Sequence, residues 1–232
     1  ANHGGLARYL QVVVERRSQT AQVVLVGNCP GVEPLAPCLE RVRERLDRDL
    51  HSLWFNANSE RTNAILGRDF VNWYGPGAVT ERFGGAAVHY PPGAFGQNNL
   101  GIAERIVDHV RGLVPHGARV VEFYAGVGAI GLSLLPKVAA LRLNEVSPPS
   151  LLGLEMGLAG LDSTDRAKVE VIPGTAGDAC AAVSGADVVI ADPPRKGLDP
   201  PLREQLAAQP PQRLIYVSCG LESLLADTAR LA

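Results

Sequence analysis

Three segments of this sequence carry residue types that do chemistry. The first is Gly126-Val127-Gly128-Ala129-Ile130-Gly131, directly after the apolar run RVVEF. It matches GxGxxG between an expected strand and an expected helix. Glycines at that spacing let the backbone turn sharply and come close to a ligand, with helix N–H groups aimed at it. Glu145 follows about 20 residues after the first glycine, where a carboxylate accepts hydrogen bonds from a ribose diol. The pattern fits a nicotinamide dinucleotide and S-adenosylmethionine equally well.

The second segment is Asp192-Pro193-Pro194-Arg195-Lys196-Gly197-Leu198, after VVIA. Two prolines fix an extended turn that cannot continue as helix, and so hold Asp192 at a strand end. Arg195 and Lys196 are the local candidates for phosphate contacts. A dinucleotide dehydrogenase has no use for such a loop, which shifts the balance toward group transfer onto a nucleic acid. The third segment is Tyr216-Val217-Ser218-Cys219-Gly220. Cys219 follows an expected strand and precedes an expected helix, whose positive end favours a thiolate. Cys29, Cys38 and Cys180 have no such setting and read as structural. A fourth stretch, Phe95-Gly96-Gln97-Asn98-Asn99, precedes a helix. Its amides suit helix capping first and ligand contact second.

The elements that must position these residues fall into two regions. Residues 1–95 read as a small α+β domain. It has two strands around a polar turn (Leu10 to Val14, Val23 to Val26), an amphipathic helix from Pro37 to Leu50, a strand at Leu53 to Phe55 and a hairpin over Glu81 to Tyr90. From residue 96 onward strands alternate with helices. The strands are Arg119 to Phe123, Leu141 to Glu145, Val169 to Ile172, Val188 to Ala191 and Leu214 to Val217. Helices are expected over Leu100 to Leu113, Ile130 to Leu135, Pro149 to Leu158, Asp178 to Val183, Pro200 to Ala207 and Glu222 to Leu231. This alternation predicts an α/β, doubly wound, mostly parallel sheet of Rossmann-like type, with ligands at the carboxyl ends of the strands.

Composition sets the outer limits. The chain has 232 residues and is 46% hydrophobic and 20% charged, so disorder is not its main state. Its net charge of −2 lacks the basic excess of a self-sufficient nucleic-acid binder. If RNA or DNA is the substrate, much of the phosphate grip must come from a local patch, another domain or a partner. The four cysteines show no metal-site spacing, which argues against structural zinc, an iron–sulfur centre or a disulfide framework. A reducing compartment, cytoplasmic or organellar, is expected. No apolar run is long enough for a membrane helix, and ANHGGLARYL is no signal peptide.

Taken together, the segments resemble the RNA uracil-C5 methyltransferases, which make 5-methyluridine in tRNA and rRNA. The resemblance runs through LARYLQVVVERR, HSLWFNANSERTNAILG, PGAFGQNNLG, EFYAGVGAIGLSLL, LNEVSP, VVIADPPRKGLD and RLIYVSCGLESLLADTARL, and covers nearly the whole chain. It implies a class I methyltransferase domain over 96–232 that binds S-adenosylmethionine. Gln97, Phe123, Tyr124, Gly126, Gly128, Glu145 and Asp192 match cofactor-contacting positions. Asp192 also matches the active-site aspartate, and Cys219 the nucleophile that adds to C6 of uracil. RNA is the implied partner.

The sequence departs from the family in several places. The usual Ser-Cys-Asn-Pro is Ser218-Cys219-Gly220-Leu221. Ala159-Gly160 replaces an Asn-Gly, and either Asp178 or Thr175 stands where an acid near adenine is expected. The family's base glutamate, its N-terminal RNA-binding barrel and the iron–sulfur cysteines of some members have no counterpart, so the domain is expected to be C-terminally incomplete. The competing reading is a degenerate methyltransferase fold serving as a scaffold in an RNA-associated complex. A nicotinamide-dependent oxidoreductase explains Gly126 to Glu145 and nothing after.

Overall fold

The computed structural model describes residues 4–61 and 63–231. The chain divides into two units. One comprises Ala1–Glu81 with His89–Gly93, the other Arg82–Val88 with Ala94–Ala232.

The first unit is built on four strands, β1 (Ala7–Glu15), β2 (Thr20–Gly27), β3 (Leu50–Ala57) and β4 (Asp69–Tyr74), in the order β1-β2-β3-β4. β1 and β2 form the antiparallel hairpin expected around the polar turn. β2 and β3 are parallel, so the chain must cross over between them. Helix α1 (Ala36–Leu46) makes that crossover and buries Leu39 against Val23, Leu25, Leu53 and Phe55.

Two expectations need correction here. The first helix does not run to Leu50. Asp47 takes a positive φ of 38°, a conformation that aspartate tolerates better than most residues. A short 3-10 turn over Asp47–Asp49 follows, which frees Leu50 to begin β3 opposite Ala21. β4 is the second omission. Its residues, DFVNWY, mix polar and aromatic types, and four of the six are exposed.

The hairpin of β5 (Val79–Phe83) and β6 (Ala86–Tyr90) turns at Gly84-Gly85 as expected, both glycines having positive φ.

In the second unit five strands form one sheet: β7 (Arg119–Phe123), β8 (Ala140–Glu145), β9 (Val169–Pro173), β10 (Val188–Ala191) and β11 (Arg213–Tyr216). Their order is β11-β10-β7-β8-β9, and every neighbouring pair is parallel. The chain winds outward from β7 through β8 to β9, then returns to the other side of β7 for β10 and β11. The order therefore reverses between β7 and β10, where open α/β sheets bind ligands. The helices are α2 (Leu100–Leu113), α3 (Gly131–Leu134), α4 (Pro148–Ala159), α5 (Ser163–Ala167), α6 (Pro200–Ala208) and α7 (Leu221–Leu231). Val121, Phe123, Val189 and Ala191 pack one sheet face against Leu202 and Leu206 of α6. No helix among the described residues is long and apolar enough to cross a membrane.

Candidate active site

Strand register brings the sequence motifs to one place. Glu122 lies opposite Leu143 on one side and Ile190 on the other. Side chains alternate faces along a strand, so Glu145 projects on the face of Glu122. Asp192 stands two residues beyond Ile190, just past the end of β10, and lies near enough to Glu122 to act on its charge. Three carboxyls thus sit at the carboxyl ends of the central strands. Glu122 was not singled out from the sequence. Its signal is a lone acid within the buried run RVVEF, where it is only 2% exposed.

Burial first, then the nearby Asp192 carboxyl, pushes Glu122 up to about 8. Its Oε2 atom is buried without a hydrogen-bond partner, which suits a carboxyl kept neutral. Burial also raises Asp192, to about 6.

Glu145 plays a different part. Its Oε2 accepts the Gly126 N–H at 2.7 Å. Its Oε1 accepts the Val146 and Ser147 N–H groups at 2.9 and 2.7 Å. A carboxylate has about four acceptor positions, so three bonds leave room for a ligand hydroxyl. Gly126 has a φ of +57°, and a Cβ built on it meets nothing within 4 Å. The turn therefore borders open space beside the acid. Gly128 serves packing instead, because a Cβ there would lie 2.7 Å from Leu154 Cδ1. The helix expected after the turn is only the four-residue α3, so the cradle is the turn itself rather than a helix end.

Tyr124 begins that turn with a φ of +60°, a strained value for a non-glycine residue. Its Oη accepts the Asp199 N–H at 2.9 Å, which ties the glycine turn to the Asp-Pro-Pro loop. Phe123 is fully buried in the core beneath, so its side chain cannot reach a ligand. Gln97 is exposed. Asn99 caps α2 by accepting the Ile102 N–H at 3.1 Å, the capping role expected for this amide stretch.

Arg195 is exposed, whereas Lys196 pairs with Asp199 at 3.0 Å. Cys219 is exposed in the turn before α7. Ser218 Oγ shapes this turn, accepting the Gly220 N–H at 3.1 Å and donating to the Gly220 carbonyl at 2.9 Å. A Cβ on Gly220 would lie 3.5 Å from the Arg195 carbonyl, so the cysteine turn abuts the Asp-Pro-Pro loop. A groove of about 760 Å³ along α2 and β11 ends at Ser218, with Ile102, Arg105, His109 and Leu214 on its walls. Asp178, weighed as an acid near adenine, accepts the Thr175 hydroxyl at 2.6 Å.

Among solved structures, a crystal structure of Pyrococcus abyssi tRNA (uracil-54, C5)-methyltransferase in complex with S-adenosyl-L-homocysteine superposes with a TM-score of 0.76. The match is 23% identical and covers 98% of this chain and 54% of that one. The chain has the Rossmann-like fold of methyltransferases. An RNA methyltransferase of Protochlamydia amoebophila, itself named as uncharacterized, is 36% identical over 228 residues, which are 96% of this chain and 60% of the relative. A similarly named protein of Thermotoga maritima is 32% identical over 181 residues, 77% of this chain and 40% of the relative. The chain thus spans from two fifths to three fifths of the length of these relatives. No family model matches it.

Proposed function

We propose that this chain is the catalytic portion of an S-adenosylmethionine-dependent RNA methyltransferase that forms 5-methyluridine in tRNA or rRNA. The observation that carries this reading is the convergence of the Glu145-braced glycine turn, the Asp192 loop and the Cys219 turn at one edge of a methyltransferase-type sheet. The names of the relatives support RNA as the substrate class.

The residues fit the cofactor. Glu145 keeps an acceptor position for a ribose hydroxyl, and the open space at Gly126 admits a ligand against the backbone. Gln97, Tyr124 and Asp192 complete the proposed cofactor side, with Phe123 and the packed Gly128 contributing backbone only. When bound, S-adenosylmethionine supplies an electrophilic methyl group and leaves as S-adenosylhomocysteine.

C5 of uracil is a weak nucleophile. The Cys219 thiolate forms a bond to C6, and the C5=C6 electron pair moves toward C5 and O4. C5 then carries the charge needed to take a methyl group. Loss of the C5 proton to a base restores the double bond and expels the thiolate. This is covalent catalysis, splitting a difficult step into easier ones. Asp192, with its raised pKa, stands beside the reacting ring, and Arg195 holds a flanking phosphate. The target base must leave its stack to enter such a site.

Calorimetry with S-adenosylmethionine, S-adenosylhomocysteine and NAD tests the cofactor assignment. Binding of the first two at micromolar strength, about −8 kcal/mol, without binding of NAD is the expected result. A folded chain that binds none of the three overturns the proposal and favours the scaffold reading.

A further inference from the structure

Asp227 lies on α7, about two helical turns beyond Cys219. It is an acid on a surface helix, yet it is 2% exposed. Three donors from three different elements converge on it. The Leu198 N–H reaches Oδ2 at 2.8 Å from the Asp-Pro-Pro loop. Tyr216 Oη donates to the same oxygen at 2.8 Å from the end of β11. Arg203 of α6 donates to Oδ1 at 2.9 Å. Burial opposes ionisation, but these bonds and the Arg203 charge outweigh it and hold the carboxyl below its ordinary value.

The loop backbone is pressed onto this carboxylate. Gly197 has a φ of +86°, and a Cβ there would stand 2.5 Å from Asp227 Oδ2 and 3.2 Å from Ser223 Cβ. Ser223 and Asp227 are four apart on one helix face. Ser223 Oγ also donates to the Gly220 carbonyl at 3.0 Å, in the turn that holds Cys219. One face of α7 therefore grips both the cysteine turn and the loop that carries Asp192 and Arg195. Stability alone does not call for an acid here, because well-packed apolar residues replace buried ion pairs at little or no cost. What an apolar residue cannot do is accept the Leu198 N–H and fix the loop backbone.

We propose that Asp227 is a positioning residue that sets the register between Cys219 and the Asp192–Arg195 loop. It touches neither RNA nor cofactor. The inference rests on the reading that these two segments act together on one uracil. The next loop residue, Asp199, is held independently by Tyr124. Loss of the Asp227 carboxylate therefore loosens the loop against Cys219 while leaving the Glu145-braced glycine turn, the main hold on the proposed cofactor, in place.

The test measures two quantities on the 232-residue chain and on Asp227→Asn. One is the rate of covalent adduct formation with a pool of transcribed tRNA and rRNA carrying 5-fluorouridine, at saturating S-adenosylmethionine. The other is the affinity for S-adenosylmethionine by calorimetry. The expected result is an adduct rate lower by about tenfold or more with cofactor affinity within about twofold of the parent. An unchanged rate overturns the proposal. So does a fall of rate and affinity by the same factor, which marks a purely structural role. If Asp227→Asn does not fold, Tyr216→Phe, which removes one donor and keeps the carboxylate, is judged by the same two criteria. A parent chain that binds S-adenosylmethionine but forms no adduct refutes the Cys219 chemistry itself, and this inference with it.

Discussion

Glu145 Oε2 lies 2.7 Å from the backbone nitrogen of Gly126. The acid at the end of β8 thus braces the glycine turn at the end of β7, so two features separated in sequence form one structural unit. The same carboxylate accepts the first N–H groups beyond its own strand. It organises the backbone on both sides of the proposed cofactor site and still has capacity for a ligand.

Replacing Glu145 by Ala removes three acceptor bonds and the proposed ribose partner together. S-adenosylmethionine affinity is expected to fall by about tenfold or more, or at least ~1.4 kcal/mol. Calorimetry on parent and variant decides this, and equal affinities would take Glu145 out of the site.

Gly128→Ala tests the packing under the turn. A φ of +83° and an approach of 2.7 Å to Leu154 Cδ1 both oppose a side chain there. The expected loss of stability is about 1–3 kcal/mol, measured by urea unfolding. A variant as stable as the parent would mean that the turn relaxes freely.

Glu122 gives a pH signature whose sign follows from linkage. Its ordinary value is 4.5, and burial raises it to about 8 in the folded chain. Below 4.5 both states hold the proton and the fold keeps the full benefit. Between these values only the unfolded state releases it, so stability falls by up to about 1.4 kcal/mol per pH unit. Above about 8 the loss is complete. Asp192, raised from 3.8 to about 6, acts in the same direction over its own range. Glu122→Gln has no such proton to lose. Its stability relative to the parent is expected to rise from pH 5 to pH 8 in urea titrations. A constant difference across that range would contradict a buried neutral Glu122.

The two cations of the Asp-Pro-Pro loop should differ. Arg195 is exposed, whereas Lys196 is held by Asp199 at 3.0 Å. Arg195→Ala is expected to weaken RNA binding and reduce the salt slope by about one, and Lys196→Ala to do less. Filter binding at several salt concentrations checks this, and an equal or reversed order would reassign the phosphate contact.

The five parallel strands and α2 were legible in the sequence because apolar runs such as RVVEF and VVIA are bounded by glycine and proline turns. The motifs at their ends were legible for the same reason. Other features were not, because tertiary contacts decide them. The break at Asp47 serves the pairing of Leu50 with Ala21 in β3. Phe123 reads as a ligand contact in its motif, yet strand alternation turns it into the core. Glu122 and Asp227 are ordinary acids in sequence, and only register and helix face show what surrounds them. The grip of Asp227 on Leu198 joins residues 29 apart, a distance over which no local pattern signals contact.

The proposed reaction turns on the addition of Cys219 to C6 of a uracil in RNA. Intact-protein and peptide mass spectrometry after incubation with S-adenosylmethionine and 5-fluorouridine-substituted RNA tests it most directly, since fluorine at C5 blocks elimination and no base is needed. The expected product is a covalent adduct on the Cys219 peptide, absent from a Cys219→Ala variant that still binds S-adenosylmethionine. An adduct that survives in Cys219→Ala, or no adduct from a folded, cofactor-binding parent chain, would contradict it.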